Sequence, residues 1–369
     1  MTRMPRCLAI LLFAAISLSA QMPPRIISPE VQSDNRVTFR FRDRNAKEVL
    51  LMLEGSKPVP MQKDDQGVWS LTTEPLAPDY YGYAFIADGV GLIDPSNPML
   101  KPNLISVQSV VHVPGPGLPW EVSDVAHGVV HHHFYKSAII GDQRDYYVYT
   151  PPGYEKGKKY PVLYLLHGFS DDASGWTAVG HANVILDNLI AQGKAKPMLV
   201  VMPLGYGAPE IVSHGFGAVN NEELRKRNFD RFTQALLTEV IPQVEADYRV
   251  SRDRNARAIA GLSMGGAESL LTGLNHMDKF AWVGAFSSGG LGGDDFAAEF
   301  PALDFKTGTQ LHALWIACGT DDHLIEVNRK FREWLKTKGV PHTDIETPGA
   351  HTWMVWRRNL ADFAPLLFR

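Results

Sequence analysis

Residues 256–274 read ARAIAGLSMGGAESLLTGL. The opening residues form a short buried-type run, as expected of a strand covered on both faces, and AESLLTGL reads as a helix. Between them lies Gly261-Leu262-Ser263-Met264-Gly265, a G-x-S-x-G at a strand-to-helix junction. A serine there sits on a sharp, strained turn. Side chains two positions to either side would strike neighbouring backbone, so the spacing calls for glycine. The bare spacing is a weak signal, since a tight structural turn around a buried hydroxyl gives the same pattern. The flanking strand and helix make Ser263 a candidate nucleophile.

The chain around this stretch alternates in the same way. Buried-type runs at 160–168, 197–205, 256–263, 282–289 and 311–319 are separated by helical stretches, the clearest at 229–248, and a shorter, more polar run follows at 342–349. This alternation predicts an α/β layout, a mostly parallel sheet with helices on both faces. VVHHHFYKSAII and RDYYVYTPP ahead of it read as an opening antiparallel pair. Residues 23–113 differ. Short apolar runs recur every 10–15 residues between Gly, Pro, Asp and Asn, without helical period, which predicts a small all-β sandwich over 21–113. Pro114-Gly115-Pro116-Gly117-Leu118-Pro119 sustains neither helix nor strand, so 114–120 reads as a linker and 121–369 as the α/β domain. Residues 1–20 carry Arg3 and Arg6, an apolar run Cys7–Leu18 and the small pair Ser19-Ala20, a signal-peptide pattern too short for a comfortable membrane span. An exported protein with no membrane span after cleavage is expected.

Composition narrows the function. The 369 residues are 45% hydrophobic and 21% charged, with a formal net charge of −4, and removing Arg3 and Arg6 with the signal takes this to −6. Nucleic-acid binding needs concentrated Lys and Arg and is not expected. An acidic chain without an evident basic patch also disfavours an anionic substrate. Two cysteines, one of them in the signal, exclude a disulfide scaffold or a Cys-rich metal site.

A serine needs a base, and in this fold the order is Ser, acid, His. Five histidines follow Ser263: His276, His312, His323, His342 and His351. Only His351 follows the last strand, after Pro348-Gly349-Ala350, at the end where open α/β sheets place their sites. The acid should follow LHALWIACG, where Asp321 and Asp322 are adjacent; one faces the imidazole and the other is expected to cap a helix at 323–338. Spacing does not separate them, and Asp294 and Asp295 are distant alternatives. The tetrahedral intermediate needs two backbone N–H donors. Met264 supplies one, and the loop at Gly168-Phe169 the other, with Gly168 letting the backbone approach closely. His167 precedes the serine and reads as a structural histidine of that loop. His131-His132-His133 looks like a metal tract, but successive strand residues face opposite ways, so no metal or other cofactor is expected. Trp176 is either a stacking surface for a sugar or aryl ring or a core residue. Trp69, Tyr80, Tyr81 and Tyr83 are likewise either a sugar platform or core and hairpin aromatics.

The stretches YVYTPPGY (147–154), YPVLYLLHGFSDDASGW (160–176), RAIAGLSMGG (257–266), DKFAWVGAFSSG (278–289), CGTDD (318–322) and GAHTW (349–353) are recognisable together. The catalytic part resembles the feruloyl esterase and acetyl xylan esterase group of carbohydrate esterase family one, within the α/β-hydrolases, with esterase D and the mycolyltransferases as wider relatives; this implies an α/β-hydrolase fold for 121–369. The resemblance implies Ser263 as nucleophile, His351 as base and Phe169 and Met264 as oxyanion donors. It also implies Asp322 as the acid, the fourth residue of the G-T-x-D pattern. The front part resembles, more loosely, immunoglobulin-like modules found before such esterases and before enterochelin esterases, which implies possible polysaccharide contact. The implied activity is serine-dependent hydrolysis of a carbohydrate or aryl ester, feruloyl or acetyl. Siderophore esters, acylated trehalose and acyl transfer are the alternatives within the enzyme class, and carbohydrate binding on an inactive scaffold is the alternative outside it.

Overall fold

The computed structural model describes residues 25–155, 158–291 and 295–369; the signal peptide expected over residues 1–20, and Asp294, lie outside the described residues. The front part is a sandwich of two antiparallel sheets. One runs in the order Glu30–Val31, Val37–Arg42, Val68–Thr72, Gln62–Lys63. The other runs Val59–Pro60, Val49–Leu53, Asp79–Ala87, Gln108–Val113, Leu100–Lys101, with Val90–Leu92 pairing on Asp79–Ala87. The period of two along each strand sorts its side chains. Val49, Leu51 and Leu53 enter the sandwich core with Phe39, Phe41 and Phe85, while Met52 points the other way. Asp79–Ala87 is buried on both faces: Tyr81 and Tyr83 belong to the sandwich core, but Tyr80 belongs to the hydrolase core, stacked between His112 and His181 with each centroid at 4.1 Å. The aromatic-platform reading is therefore corrected. Trp69, Tyr80, Tyr81 and Tyr83 are all buried.

The hydrolase sheet has eight strands in the order Val129–Lys136, Gln143–Thr150, Leu199–Pro203, Val162–Leu166, Arg257–Leu262, Trp282–Phe286, Ala313–Gly319, Thr343–Thr347. The pairings of Gln143–Thr150 with both its neighbours are antiparallel and all later ones are parallel. Successive side chains feed opposite cores. Val162, Tyr164 and Leu166 pack in one, Leu163 and Leu165 in the other, which is why the run YPVLYLL is apolar throughout. The chain passes from Val162–Leu166 outward to Leu199–Pro203, then back to the other side of its starting strand at Arg257–Leu262. That reversal is a topological switch point, where the carboxyl ends of two adjacent strands leave a crevice.

The helix expected at 229–248 begins earlier, at Glu222, and continues through a π-helical turn to Asp247. Its start is set by Asn221, whose side chain accepts the N–H of Leu224. The Pro/Gly segment 114–119 is neither helix nor strand, and the chain is packed at its C-terminal end. Trp120 is buried, and the Asn188 amide donates to the carbonyls of Pro119 and Glu121 at 2.8 and 2.7 Å. His132 stacks on Tyr147 on one face of its strand, while His131 and His133 lie on the other, towards Tyr248.

Candidate active site

Ser263 closes the strand Arg257–Leu262 and precedes the helix Met264–Asn275. Its backbone has φ 52° and ψ −116°, a strained conformation for a residue with a side chain. The two flanking glycines have a specific cause. A Cβ on Gly261 would run into the carbonyl of Gly265, and a Cβ on Gly265 would run into the backbone of Leu166 and His167. The turn is therefore closed against itself and against the neighbouring strand end. Gly168 is the third close approach, since a Cβ there would lie 2.6 Å from Leu262 Cδ1 and 3.3 Å from Ser263 Cβ.

His351 lies in the loop after Thr343–Thr347. Its Nε2 is 3.0 Å from Ser263 Oγ and its Nδ1 is 2.8 Å from Asp322 Oδ2. Asp322 is buried, and its other oxygen accepts the N–H of Leu324 at 2.8 Å. Burial pushes its carboxyl up, but the hydrogen bond and charge of His351, with the Leu324 N–H and the Ser287 hydroxyl, hold it below the usual carboxylate value. Asp321 is exposed and turned away. The expectation that it caps a helix at 323–338 is corrected. The helix is Ile325–Thr337, its N-cap Leu324 makes no side-chain bond, and Asp322 itself serves the turn ahead of it. Asp295 caps the short helix Phe296–Glu299. His312 and His342 bond elsewhere, to Asn255 and to the Val340 carbonyl. His323 is exposed beside the site, its ring 4.7 Å from that of His351. Asp322, His323 and His351 are also the one group among the described residues with three possible metal-ligand atoms within 4.8 Å of one another; two of the three are already bonded to each other.

Met264 is the first residue of its helix, so its N–H has no intrahelical partner and sits at the positive end of the helix dipole. Phe169 follows Gly168 on the facing strand end. His167 behind it is fully enclosed: Nε2 accepts the N–H of Gly205 at 2.9 Å, which leaves the proton on Nδ1, 2.8 Å from the Gly168 carbonyl. Burial drops its pKa to about 4, against a weaker opposing effect of the Gly168 carbonyl. The imidazole is thus a neutral strut for the loop. Trp176, offered as a stacking surface, is instead core. It is 0% exposed, its indole N–H donates to the Leu166 carbonyl at 2.9 Å, and it lies edge-on to Trp353.

Ser263, Met264, His351, Gly168 and Phe169 line a cavity of about 940 Å³. Phe216, Phe229, Leu291, Leu324 and Trp353 give it an apolar side. The sequence reading missed its other wall, which comes from the sandwich: Met52, Glu54, Lys101, Asn103, Ser106 and Gln108. A charged residue inside an otherwise apolar strand or helix run, such as Asp79 in DYYGYAFIA or Arg357 in WMVWRR, was the available hint that the two parts are tied together. Lys101 pairs with Glu54 at 3.5 Å, and Arg225 also lines the cavity, so the net charge of the chain does not describe the site. Burial pushes the nearby Asp171 carboxyl up to about 7, more than Lys101 pulls it down.

A strained serine hydrogen-bonded to a histidine, itself bonded to a buried carboxylate at a sheet switch point, is the layout of a hydrolytic enzyme. The model of the Esterase family ("Putative esterase") matches residues 137–367. The chain belongs to this esterase family. It is 31% identical over 352 residues to an endo-1,4-beta-xylanase/feruloyl esterase of Xylanibacter ruminicola; this covers 92% of the chain but 46% of that protein, so the chain spans about half of the relative's length. A CE1 ferulic acid esterase from Anaeromyces mucronatus superposes with TM-score 0.60 and 27% identity, over 69% of this chain and 96% of that one. The enterobactin esterase of Shigella flexneri shares the fold, with TM-score 0.65 and 20% identity, over 91% of this chain and 95% of its own. This member of the esterase family has an α/β-hydrolase fold behind an all-β front part. Among the described residues no helix is long and apolar enough to cross a membrane.

Proposed function

We propose that this esterase is exported and removes feruloyl or acetyl groups from plant cell-wall polysaccharide through Ser263, His351 and Asp322. The observation that carries the reading is the unbroken line of hydrogen bonds, Ser263 Oγ to His351 Nε2 and His351 Nδ1 to Asp322 Oδ2, opening on the cavity. Ser263 Oγ attacks the ester carbonyl and its proton passes to His351 Nε2. Asp322 holds the Nδ1–H and stabilises the imidazolium. The N–H groups of Phe169 and Met264 receive the oxyanion. When the tetrahedral intermediate collapses, the alcohol leaves with the proton from His351. Water, deprotonated by the same nitrogen, then releases the acid and restores the serine.

The apolar side formed by Phe216, Phe229, Leu291 and Trp353 supports an aryl acyl group, and the polar front wall supports a sugar alcohol. The names of the Xylanibacter feruloyl esterase and the Anaeromyces ferulic acid esterase point the same way. Residues 1–20 support export. The test compares methyl ferulate, acetylated xylan, a catecholate siderophore and a trehalose diester at equal enzyme concentration. Methyl ferulate or acetylated xylan should turn over fastest, with a fluorophosphonate labelling Ser263 alone. Faster turnover of the siderophore or of the trehalose ester overturns the substrate class. No labelling, with polysaccharide binding retained, overturns the catalytic reading.

A further inference from the structure

We propose that two residues of the front sandwich position the catalytic groups from outside the hydrolase, by clamping the two loops that must meet at Ser263. This rests on the triad proposed above and adds positioning residues to it: Asn103 and Glu54.

The first clamp holds the oxyanion loop. The Leu104 N–H donates to the Ser170 carbonyl at 2.7 Å. The Asn103 amide donates to Ser170 Oγ at 2.9 Å and towards Asp171 Oδ1 at 3.4 Å. The orientation of that amide is fixed from behind, since its oxygen accepts the N–H groups of Ile105 and Ser106 at 3.0 and 2.9 Å. Ser170 directly follows Phe169 and has φ 74°, a left-handed conformation that a serine holds only when its surroundings impose it. Here part of those surroundings belongs to the sandwich.

The second clamp holds the histidine loop. Trp353 opens the helix Trp353–Phe363 two residues after His351, and the N-cap Thr352 makes no side-chain bond. The cap comes from the other part of the chain. Glu54 Oε1 accepts the Trp353 N–H at 3.0 Å, while Oε2 is anchored on the Gly82 N–H at 2.8 Å and Lys101 lies alongside. A carboxylate at a helix N-terminus also meets the positive end of the dipole. One turn on, Arg357 fixes the same helix to the sandwich. It donates to Asp79 Oδ1 from Nε and Nη2 at 3.0 and 2.7 Å and to the Tyr80 carbonyl at 2.7 Å, with both side chains 0% exposed.

The clamps bear on the reacting geometry itself, so their loss should slow even an ester too small to touch the front wall. The test uses the full chain carrying Asn103→Ala or Glu54→Ala, with p-nitrophenyl acetate. The expected result is a fall in kcat on the order of tenfold with KM within about twofold, less than the hundredfold or more that removal of an oxyanion donor itself costs. Fluorophosphonate labelling of Ser263 should slow in proportion, and Glu54→Gln, which keeps one acceptor, should lose less than Glu54→Ala. Phe41→Leu, in the sandwich core away from both clamps, serves as the stability control and should lower Tm without changing kcat at 25 °C. The proposal is overturned if kcat stays within twofold in both clamp variants, if only KM for large esters rises, or if Phe41→Leu lowers kcat as much. Labelling of Ser263 in the unaltered chain reports on the triad separately, so failure of the clamp and failure of the triad are distinguishable.

Discussion

The segment that carries Ser263 and the segment that carries His351 meet at one hydrogen bond but are built by opposite means. Around Ser263 the constraint is local and made of backbone. Gly261, Gly265 and Gly168 are places where strand ends and a helix start touch too closely for a side chain. Around His351 the constraint is remote and made of side chains. Asp322 comes from the preceding strand end, and Glu54 and Asp79 come from nearly 300 residues earlier. A close-packed turn leaves a mark in the sequence as glycine spacing, whereas a cross-module contact leaves only isolated charged residues in apolar runs.

The contrast can be broken most forcefully on the remote side. Arg357→Met would leave Asp79 buried without its main partner, and an uncompensated buried charge costs roughly 3–5 kcal/mol. Urea unfolding should show that loss, and Asp79→Leu with Arg357→Met should recover much of it. On the local side, Gly265→Ala forces a methyl group into backbone on the adjacent strand end and should destabilise by about 3 kcal/mol, at the upper end of overpacking costs, with little esterase activity left.

Acid separates the two regions more gently. His167 sits below its ordinary value of 6.5, at about 4, because of burial, so as pH falls below about 6.5 the unfolded chain takes up a proton before the folded one. Its contribution is present above that pH and is lost progressively down to about 4, up to about 3 kcal/mol in all. His181, at the seam on Tyr80, is lowered to about 3 by burial and by Arg357, and acts with the same sign. Asp171 and Glu268, whose carboxyls burial raises, act with the opposite sign over this range, so the histidine effect is read as a difference: between pH 6.5 and 4 the unfolding free energy of His167→Gln should fall less steeply than that of the unaltered chain, by about one proton of slope. The smallest effect belongs to Asp321→Asn. That side chain is exposed, and the backbone bond from Asp321 N–H to the Gly349 carbonyl at 2.9 Å survives the substitution, so kcat/KM should stay within twofold and stability within about 0.5 kcal/mol.

The strand–helix alternation, the front sandwich and the pairing of Ser263 with His351 were legible because each rests on local spacing or chain order. Asp321 and Asp322 were not separable by spacing, because adjacent residues after a strand differ only in which one the turn buries. Trp176 was ambiguous for a similar reason, since a tryptophan next to a catalytic loop can face the cavity or the sheet, and the Leu166 carbonyl decides it. The four aromatics of the front part were ambiguous because the sheet that carries three of them is covered on both sides, by its own core and by the hydrolase. The early start of the helix at Glu222 was hidden because EELRKRN is mostly charged, with Leu224 its single apolar residue, and shows no apolar period.

The most direct test of the whole account is turnover by Ser263→Ala in the full chain, measured on methyl ferulate and on p-nitrophenyl acetate beside the unaltered protein. The account predicts that both activities fall by roughly four orders of magnitude or more, with the unfolding transition unchanged. Turnover within tenfold of the unaltered chain, in protein free of contaminating esterase, would contradict it.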